Sequence, residues 1–308
     1  MQFAAAAATE ALKDAGLDFV GNNEAGDRAG CIIGSGIGGL ETICVNHKAM
    51  LERGPRRISP FMIPGCIINM ASGLVGIMKN LRGPNLATVT ACATGLHAIG
   101  EAAWIIRRGD ADVMLAGGTE GTVCEVGIGG FDSMHALSRR NDDPAHASRP
   151  FDVDRDGFVM GEGAGVLILE EYQHAVKRGA RILAEVAGYG VSCDANHMTA
   201  PLEDGSGAAQ CMTAAIKDAM LEKEQIGYIN AHGTSTPVGD PVEVMAIKTL
   251  YGWEDRSSEM SEDLKKNHPA CKFYERKHRP PDGSRRHHRS DSLHKSYSNR
   301  HTASYFEL

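Results

Sequence analysis

The sequence has no Cys-x-x-Cys pair, no basic N-terminal leader and no apolar run long enough to cross a membrane. Its eight cysteines are scattered among apolar neighbours. This pattern predicts neither a disulfide framework nor a zinc site, and it is typical of a reducing compartment. Because a signal peptide and a transmembrane span are also lacking, we expect a cytoplasmic protein.

An excess of basic residues is lacking too, because the formal net charge is −7. This balance argues against nucleic acid and anionic membranes as partners. The chain has 308 residues, 42% of them hydrophobic. That is enough for one large α/β domain or for two fused halves.

Two segments that imitate ligand sites each lack a required residue. The loop from Gly34 to Gly39 has GxGxxG spacing after an apolar strand, but no acidic residue follows where a ribose would need one. We interpret this loop as a tight turn packed against backbone.

The segment from Asp152 imitates a calcium loop, yet Gly163 stands where a bidentate glutamate is required. Glu162, inside an apolar stretch, is predicted to accept a hydrogen bond from backbone.

The apolar pattern alternates between strands and helices. It predicts a buried parallel strand at 112–118, a glycine-interrupted strand at 158–170, strands at 182–190 and 226–232, and helices at 208–221 and 242–250. An α/β fold is therefore expected.

Cys92 is the first candidate catalytic residue. Small and β-branched residues at 87–90 lead into Ala91-Cys92-Ala93, and helical periodicity follows from Leu96. Cys92 is thus expected at a strand-to-helix turn. The unpaired N–H groups and the dipole of a helix N-terminus stabilise a thiolate and lower the thiol pKa, which prepares a nucleophile.

His232 is the second candidate, at the end of the predicted strand 226–232. A lone histidine is more often structural, but polar groups at strand ends of parallel sheets gather into sites. The hydroxyl-rich segment 233–236 directly follows it. From these residues alone, Cys92 and His232 also fit a thiol hydrolase.

Five segments in a fixed order resemble the β-ketoacyl-acyl-carrier-protein synthases, the elongating condensing enzymes of fatty-acid synthesis. They are TACATG at 90–95, GDADVMLAGGTE at 109–120, RPFDVDRDGFVMGEGAGVLILEE at 149–171, HMTAP at 197–201 and NAHGTSTPVGDPVE at 230–243. The resemblance runs from about Met1 to Gly252.

The resemblance implies a thiolase-like, layered α-β-α-β-α fold, incomplete at both ends, and a homodimer. Residues 1–180 would form a first half that lacks its opening βα segment, 181–252 the start of a second half, and 253–308 an aberrant, disordered tail.

The resemblance also implies roles for single residues. Cys92 would accept the acyl group from acyl carrier protein as a thioester, and its backbone N–H would form part of the oxyanion hole. His232 would donate a hydrogen bond to the malonyl thioester carbonyl. Thr234 and Thr236 would bind the phosphopantetheine arm. No metal or soluble cofactor would be needed.

From Trp253 onward the sequence departs from the family. No Val or Ile occurs again, and a lysine and a second catalytic histidine expected there are absent as encoded. Codons for 272–285 can be chosen so that the reading frame shifted by one base encodes both the missing lysine and the missing histidine. In the same shifted frame, codons for 301–308 encode a segment that resembles the family's next loop. We therefore predict a change of reading frame after about Gly252.

The chain as written is consequently expected to lack condensation activity. Two other readings stay open at this point: a non-catalytic partner subunit of a condensing enzyme, and a thiolase-type enzyme. Retention of Cys92 argues against the first. The HGTSTPVGD and RDGFVMGEGAG segments argue against the second.

Overall fold

The structure, a computed structural model, describes residues 1–252. These residues form two compact units, which are treated separately: the first contains 1–137 and 159–182, and the second contains 138–158 and the described residues from 183 on. The tail at 253–308 and its reading frame lie outside the described residues. The division into 1–180 and 181–252 stays a prediction.

The first unit alternates helices and strands along the chain. Its helices are α1 Gln2–Ala15, α2 Asn23–Asp27, α3 Leu40–Arg53, α4 Met62–Cys66, α5 Met70–Lys79, α6 Thr94–Arg107, α7 Glu125–Ser133 and α8 Tyr172–Lys177. Its strands are β1 Ala29–Gly34, β2 Asn85–Leu86, β3 Val113–Glu120 and β4 Gly163–Glu170.

The four strands form one mixed sheet in the order β2-β1-β3-β4. β1 runs parallel to both of its neighbours, and β4 runs antiparallel to β3. The predicted buried parallel strand is confirmed as β3, and the predicted glycine-interrupted strand is confirmed as β4. Glycine is required at 117 because a Cβ there would clash with the Gly165 carbonyl oxygen on β4.

Side chains of the central strands alternate between two helical layers, as a pleated strand requires. On one face, Cys31 and Ile33 pack with apolar residues of α1 and α5. On the other face, Ile32 and Met114 pack with alanines and isoleucines of α6. Because both faces are covered, β1 is buried along its whole length.

The second unit contains two long helices, α9 Ser206–Asp218 and α10 Gly239–Tyr251. Both confirm predicted helices, and they pack through Ala209, Met212, Ala246 and Ile247. The predicted strands at 182–190 and 226–232 are wrong, because neither segment forms a strand in the structure.

The physical reason is the lack of a ladder partner within the described part of the chain. A strand exists only when a neighbour satisfies its N–H and C=O groups. The segment around Gly188 and Gly190 lies against the backbone of α9 instead, where a Cβ on Gly188 would lie 2.6 Å from the Ala219 N. The Asp218 carboxylate accepts from the Tyr189 N–H at 2.9 Å.

Hydrogen exchange distinguishes the two kinds of apolar segment. Residues 182–186 are exposed and donate no backbone hydrogen bond within the described range, so we expect their amides to exchange at nearly the rate of an unstructured peptide. Residues 113–116 of β3 are buried and paired on both sides and should be strongly protected. Peptide-resolved mass spectrometry of the full chain measures both segments, and equal protection would contradict the assignment.

Candidate active site

Cys92 lies at an exposed turn directly before α6, as the sequence predicts. The strand before it, β2, ends at Leu86, and the run at 87–90 that suggested a strand forms none. Residues Ala91–Ala93 form a single 3-10 turn, and α6 begins at the next residue. Ala91 has a φ of 51°, a left-handed conformation that costs a non-glycine residue about 1–2 kcal/mol. The turn therefore needs support from its surroundings.

Threonine hydroxyls give part of that support. Thr94 Oγ1 accepts from the Thr90 N–H at 2.9 Å, and Thr88 Oγ1 donates to the Thr94 carbonyl at 2.9 Å. Thr94 is only 4% exposed, so water competes weakly for these bonds. His97, on the first turn of α6, holds its Nδ1 2.6 Å from Thr90 Oγ1. The chain on both sides of Cys92 is thus fixed by side chains of the same turn.

The glycine loop between β1 and α3 is closed by the carboxylate of Glu120, the last residue of β3. Ser35 Oγ donates to Oε1 at 2.8 Å, and the N–H groups of Gly36 and Ile37 donate to Oε2 at 2.9 and 3.1 Å. The carboxylate occupies N–H donors that a pyrophosphate would need. The loop is therefore a turn held by protein groups, as interpreted from the sequence. The expectation that no dinucleotide binds there stays a prediction.

Burial separates Cys92 from other cysteines of the described chain. Cys31 in β1 is fully buried, and this burial raises the pKa of its thiol to about 12. Burial also raises the pKa of the Cys211 thiol on α9. A raised pKa leaves little of the nucleophilic thiolate at neutral pH. Cys92 and Cys193 are exposed.

His232 lies in a loop of the second unit whose backbone is held by Glu243 on α10. The Glu243 carboxylate accepts from the His232 N–H at 2.6 Å through Oε1 and from the Gly233 N–H at 2.8 Å through Oε2. Glu243 is 7% exposed. Both of its oxygens therefore fix the backbone at the predicted catalytic histidine, whose side chain is half-buried.

Thr234 and Thr236 lie side by side in the same loop, with their Oγ1 atoms 3.0 Å apart. Thr236 Oγ1 also accepts from the Gly239 N–H at 3.0 Å, at the start of α10. Between them, Ser235 is fully buried with a φ of 66°. Three predicted site residues are thus gathered in one loop of the second unit, while Cys92 belongs to the first.

Arg155 and Asp240 brace this loop. The Arg155 guanidinium donates to the carbonyls of Thr236 and Pro237 at 2.9 and 3.0 Å. Asp240 is 1% exposed; its Oδ2 accepts from the Phe151 N–H at 2.7 Å and lies 3.8 Å from Arg155 Nε. Asp240 Oδ1 is buried without a hydrogen-bond partner among the described residues.

The calcium-like segment is held by guanidinium groups. Arg155 Nη1 donates to the Asp152 carbonyl and Arg149 Nε donates to the Asp154 carbonyl, both at 2.8 Å. These bonds fix the backbone of the segment, whereas the first and third positions of a calcium loop ligate the ion through their side-chain carboxylates. Glu162 accepts from the Val123 N–H at 3.3 Å, which confirms its predicted structural role.

Four supporting residues were missed by the sequence reasoning: Glu120, Arg155, Asp240 and Glu243. The available signal was an acidic or basic residue inside a glycine-rich or apolar segment, since such a residue needs a partner when buried. The sequence shows that such a residue needs a hydrogen-bond partner, but it does not show which residue that partner is. For Glu120 the partners Gly36 and Ser35 lie 84 and 85 positions away in the chain.

Within residues 1–252, no helix has the length and apolar character of a membrane span. The same residues contain no group of three or more His, Cys, Asp or Glu placed to hold a metal ion. The expectation that no metal or soluble cofactor is needed stays a prediction.

Comparison with known protein families gives two adjoining matches. Residues 1–175 match the N-terminal domain of beta-ketoacyl synthases, and residues 183–262 match the C-terminal domain. The chain is 57% identical over 252 residues to 3-oxoacyl-[acyl-carrier-protein] synthase 2 of Vibrio cholerae, and 54% identical over 252 residues to the protein of the same name from Coxiella burnetii. Each match covers 82% of this chain and 60% of the relative.

Solved ketosynthase structures have the same fold. A beta-ketoacyl synthase from Burkholderia phymatum gives a TM-score of 0.75 at 41% identity, covering 81% of this chain and 60% of that one. A type II PKS acyl-carrier protein in complex with its ketosynthase gives a TM-score of 0.75 at 37% identity, covering 82% and 62%. The predicted thiolase-like α/β fold class is confirmed.

The chain spans about 60% of the length of the curated relatives it matches. Over that length the similarity is continuous across both halves of the family. This chain belongs to the β-ketoacyl synthase family.

Proposed function

We propose that Cys92 accepts an acyl group from acyl carrier protein as a thioester. Its sulfur bonds to the acyl carbonyl carbon, the bond from that carbon to the phosphopantetheine sulfur breaks, and the carrier thiol leaves with a proton. The observation that carries the proposal is the exposed thiol on a braced turn at the N-terminus of α6. The N–H groups at this helix end favour the negative charge that develops there.

In the complete family reaction, the acyl group then passes to malonyl-acyl-carrier-protein. Malonyl loses CO2, the enolate attacks the acyl carbonyl on Cys92, a carbon–carbon bond forms, and the thiolate leaves. His232 is proposed to donate to the malonyl thioester carbonyl from the loop that Glu243 holds. The Thr234 and Thr236 hydroxyls are proposed to bind the phosphopantetheine arm.

The chain as written is proposed to stop after acylation. The lysine and the Gly-His pair that the resemblance calls for do not occur in their family context after Gly252, although isolated lysines and histidines do. A single histidine cannot supply both stabilising contacts that the condensation step needs. An exposed Cys92 also disfavours the reading as a non-catalytic partner subunit, because such a subunit has no use for the nucleophile.

Acyl carrier protein is the proposed partner, since a neighbouring solved ketosynthase is bound to its acyl-carrier protein. A cytoplasmic location is proposed as well. No disulfide joins the seven cysteines that the structure describes, which supports a reducing compartment.

A homodimer through the β2 edge of the sheet is proposed from the exposure of that edge. Within the described chain β2 pairs only with β1, and Leu86 and Val89 are each 52% exposed beside it. An exposed, apolar sheet edge pairs readily with another strand. A second copy of the same edge would supply matching hydrogen bonds and cover these side chains.

Introducing a charge at the β2 edge tests this dimer. We expect Leu86→Lys to make the protein monomeric, because the ammonium group would be buried in the pairing. The matched control is Val176→Lys, which places the same charge at a residue 49% exposed on α8, beside the opposite edge of the sheet. Light scattering after size-exclusion chromatography measures the mass. A Leu86→Lys dimer, or an unsubstituted monomer, would exclude this edge.

Transfer of an acyl group tests the nucleophile. When the full chain is incubated with acyl-acyl-carrier-protein, we expect one acyl group on the peptide that contains Cys92, and none after Cys92→Ala. Peptide mass spectrometry measures the adduct, and Cys193→Ala is the control because Cys193 is also exposed.

Adding malonyl-acyl-carrier-protein to the acylated chain should give no 3-oxoacyl product. Acylation that persists in Cys92→Ala would refute the proposed nucleophile. Ordinary formation of the 3-oxoacyl product would refute the proposal that the chain stops after acylation.

A further inference from the structure

We infer that Glu120 is a positioning residue for the nucleophile Cys92. It acts through the glycine loop that follows β1, whose backbone lies against the residue preceding Cys92. This inference deepens the proposed function and rests on Cys92 being its nucleophile. The chain of contacts lies wholly within the first unit.

Glu120 fixes the loop at three points. Its Oε1 accepts from Ser35 Oγ at 2.8 Å, and its Oε2 accepts from the N–H groups of Gly36 and Ile37 at 2.9 and 3.1 Å. Ser35 Oγ in turn accepts from the Gly38 N–H at 2.9 Å. Both carboxylate oxygens are therefore engaged, and successive residues of the loop are tied to the end of the central strand β3.

The loop then reaches the nucleophile turn without an intervening side chain. A Cβ built on Gly36 would lie 3.2 Å from the carbonyl oxygen of Ala91 and 3.2 Å from Glu120 Oε2. Ala91 is the left-handed residue immediately before Cys92. A strained backbone persists only when its surroundings over-determine it. The loop held by Glu120 packs against Ala91 on one side. On the α6 side, the threonine hydrogen bonds fix the same turn.

The hydrogen bonds of Glu120, rather than its charge, carry this role. A glutamine amide oxygen can accept from the Gly36 and Ile37 N–H groups, and its NH₂ can donate to Ser35 Oγ. Glu120→Gln therefore keeps the contacts and removes the charge. Glu120→Ala removes both.

Alkylation by iodoacetamide measures the position of Cys92 without any carrier protein. In the full chain, the rate at Cys92 is divided by the rate at Cys193, which is exposed in the second unit. We expect Glu120→Ala to lower this ratio about fivefold, as release of a strained backbone would shift the conformational population. Glu120→Gln should stay within about twofold of the unsubstituted chain, because it retains the hydrogen bonds.

Glu162→Ala is the matched control. It removes another carboxylate of the first unit that accepts from a backbone N–H, that of Val123, and it should leave the ratio unchanged. An unchanged ratio in Glu120→Ala would overturn the inference. An equal change in Glu120→Ala and Glu120→Gln would also overturn it, because the effect would then come from charge.

Cys31 reports whether the fold survives, because it is fully buried in β1. If Glu120→Ala makes Cys31 reactive, Gly36→Ala decides instead. This substitution keeps Glu120 and presses a methyl group towards the Ala91 carbonyl. With Cys31 still protected, a lowered ratio supports the inference and an unchanged ratio overturns it. Failure of acyl transfer from carrier protein would sink the proposed function, while these ratios would still report on Glu120.

Discussion

Keeping Ala91 in a left-handed conformation costs about 1–2 kcal/mol, and the exposed position of Cys92 depends on meeting that cost. Two networks meet it from opposite sides. Thr88, Thr90 and Thr94 exchange hydrogen bonds on the side of α6, and the glycine loop closes the other side. Both networks are anchored on β1, β3 and α6, and these elements are held together by closely packed, buried apolar side chains.

The second unit is built on different support. The two helices α9 and α10 share an apolar contact, and the loop from His232 to Asp240 is fixed by Glu243 and by Arg155 rather than by a sheet. The backbone near Gly188 packs on α9, and within residues 1–252 it joins no ladder. The predicted chemistry of His232 therefore depends on a few buried polar contacts, each of which is costly to leave unsatisfied.

The sequence pattern was sufficient to predict those elements whose structure is decided by residues close together in the chain. The run around Ile32 is apolar and flanked by glycines, so the strand β1 was predictable, and so was the turn that carries Cys92. The same reasoning failed at 182–190 and 226–232, since a β-type pattern becomes a strand only beside another strand. It also missed Glu120, whose partners are distant in sequence.

The order in which the chain's own cysteines react is the most direct test of the claim that this fold presents Cys92 as its nucleophile. The unsubstituted protein is treated with limiting iodoacetamide near neutral pH, and modification of each cysteine is followed by peptide mass spectrometry. Among the cysteines that the structure describes, Cys92 is predicted to be alkylated first, ahead of Cys193, which is also exposed, and long before the buried Cys31. Alkylation of Cys193 at the same rate as Cys92, or earlier, would contradict the account.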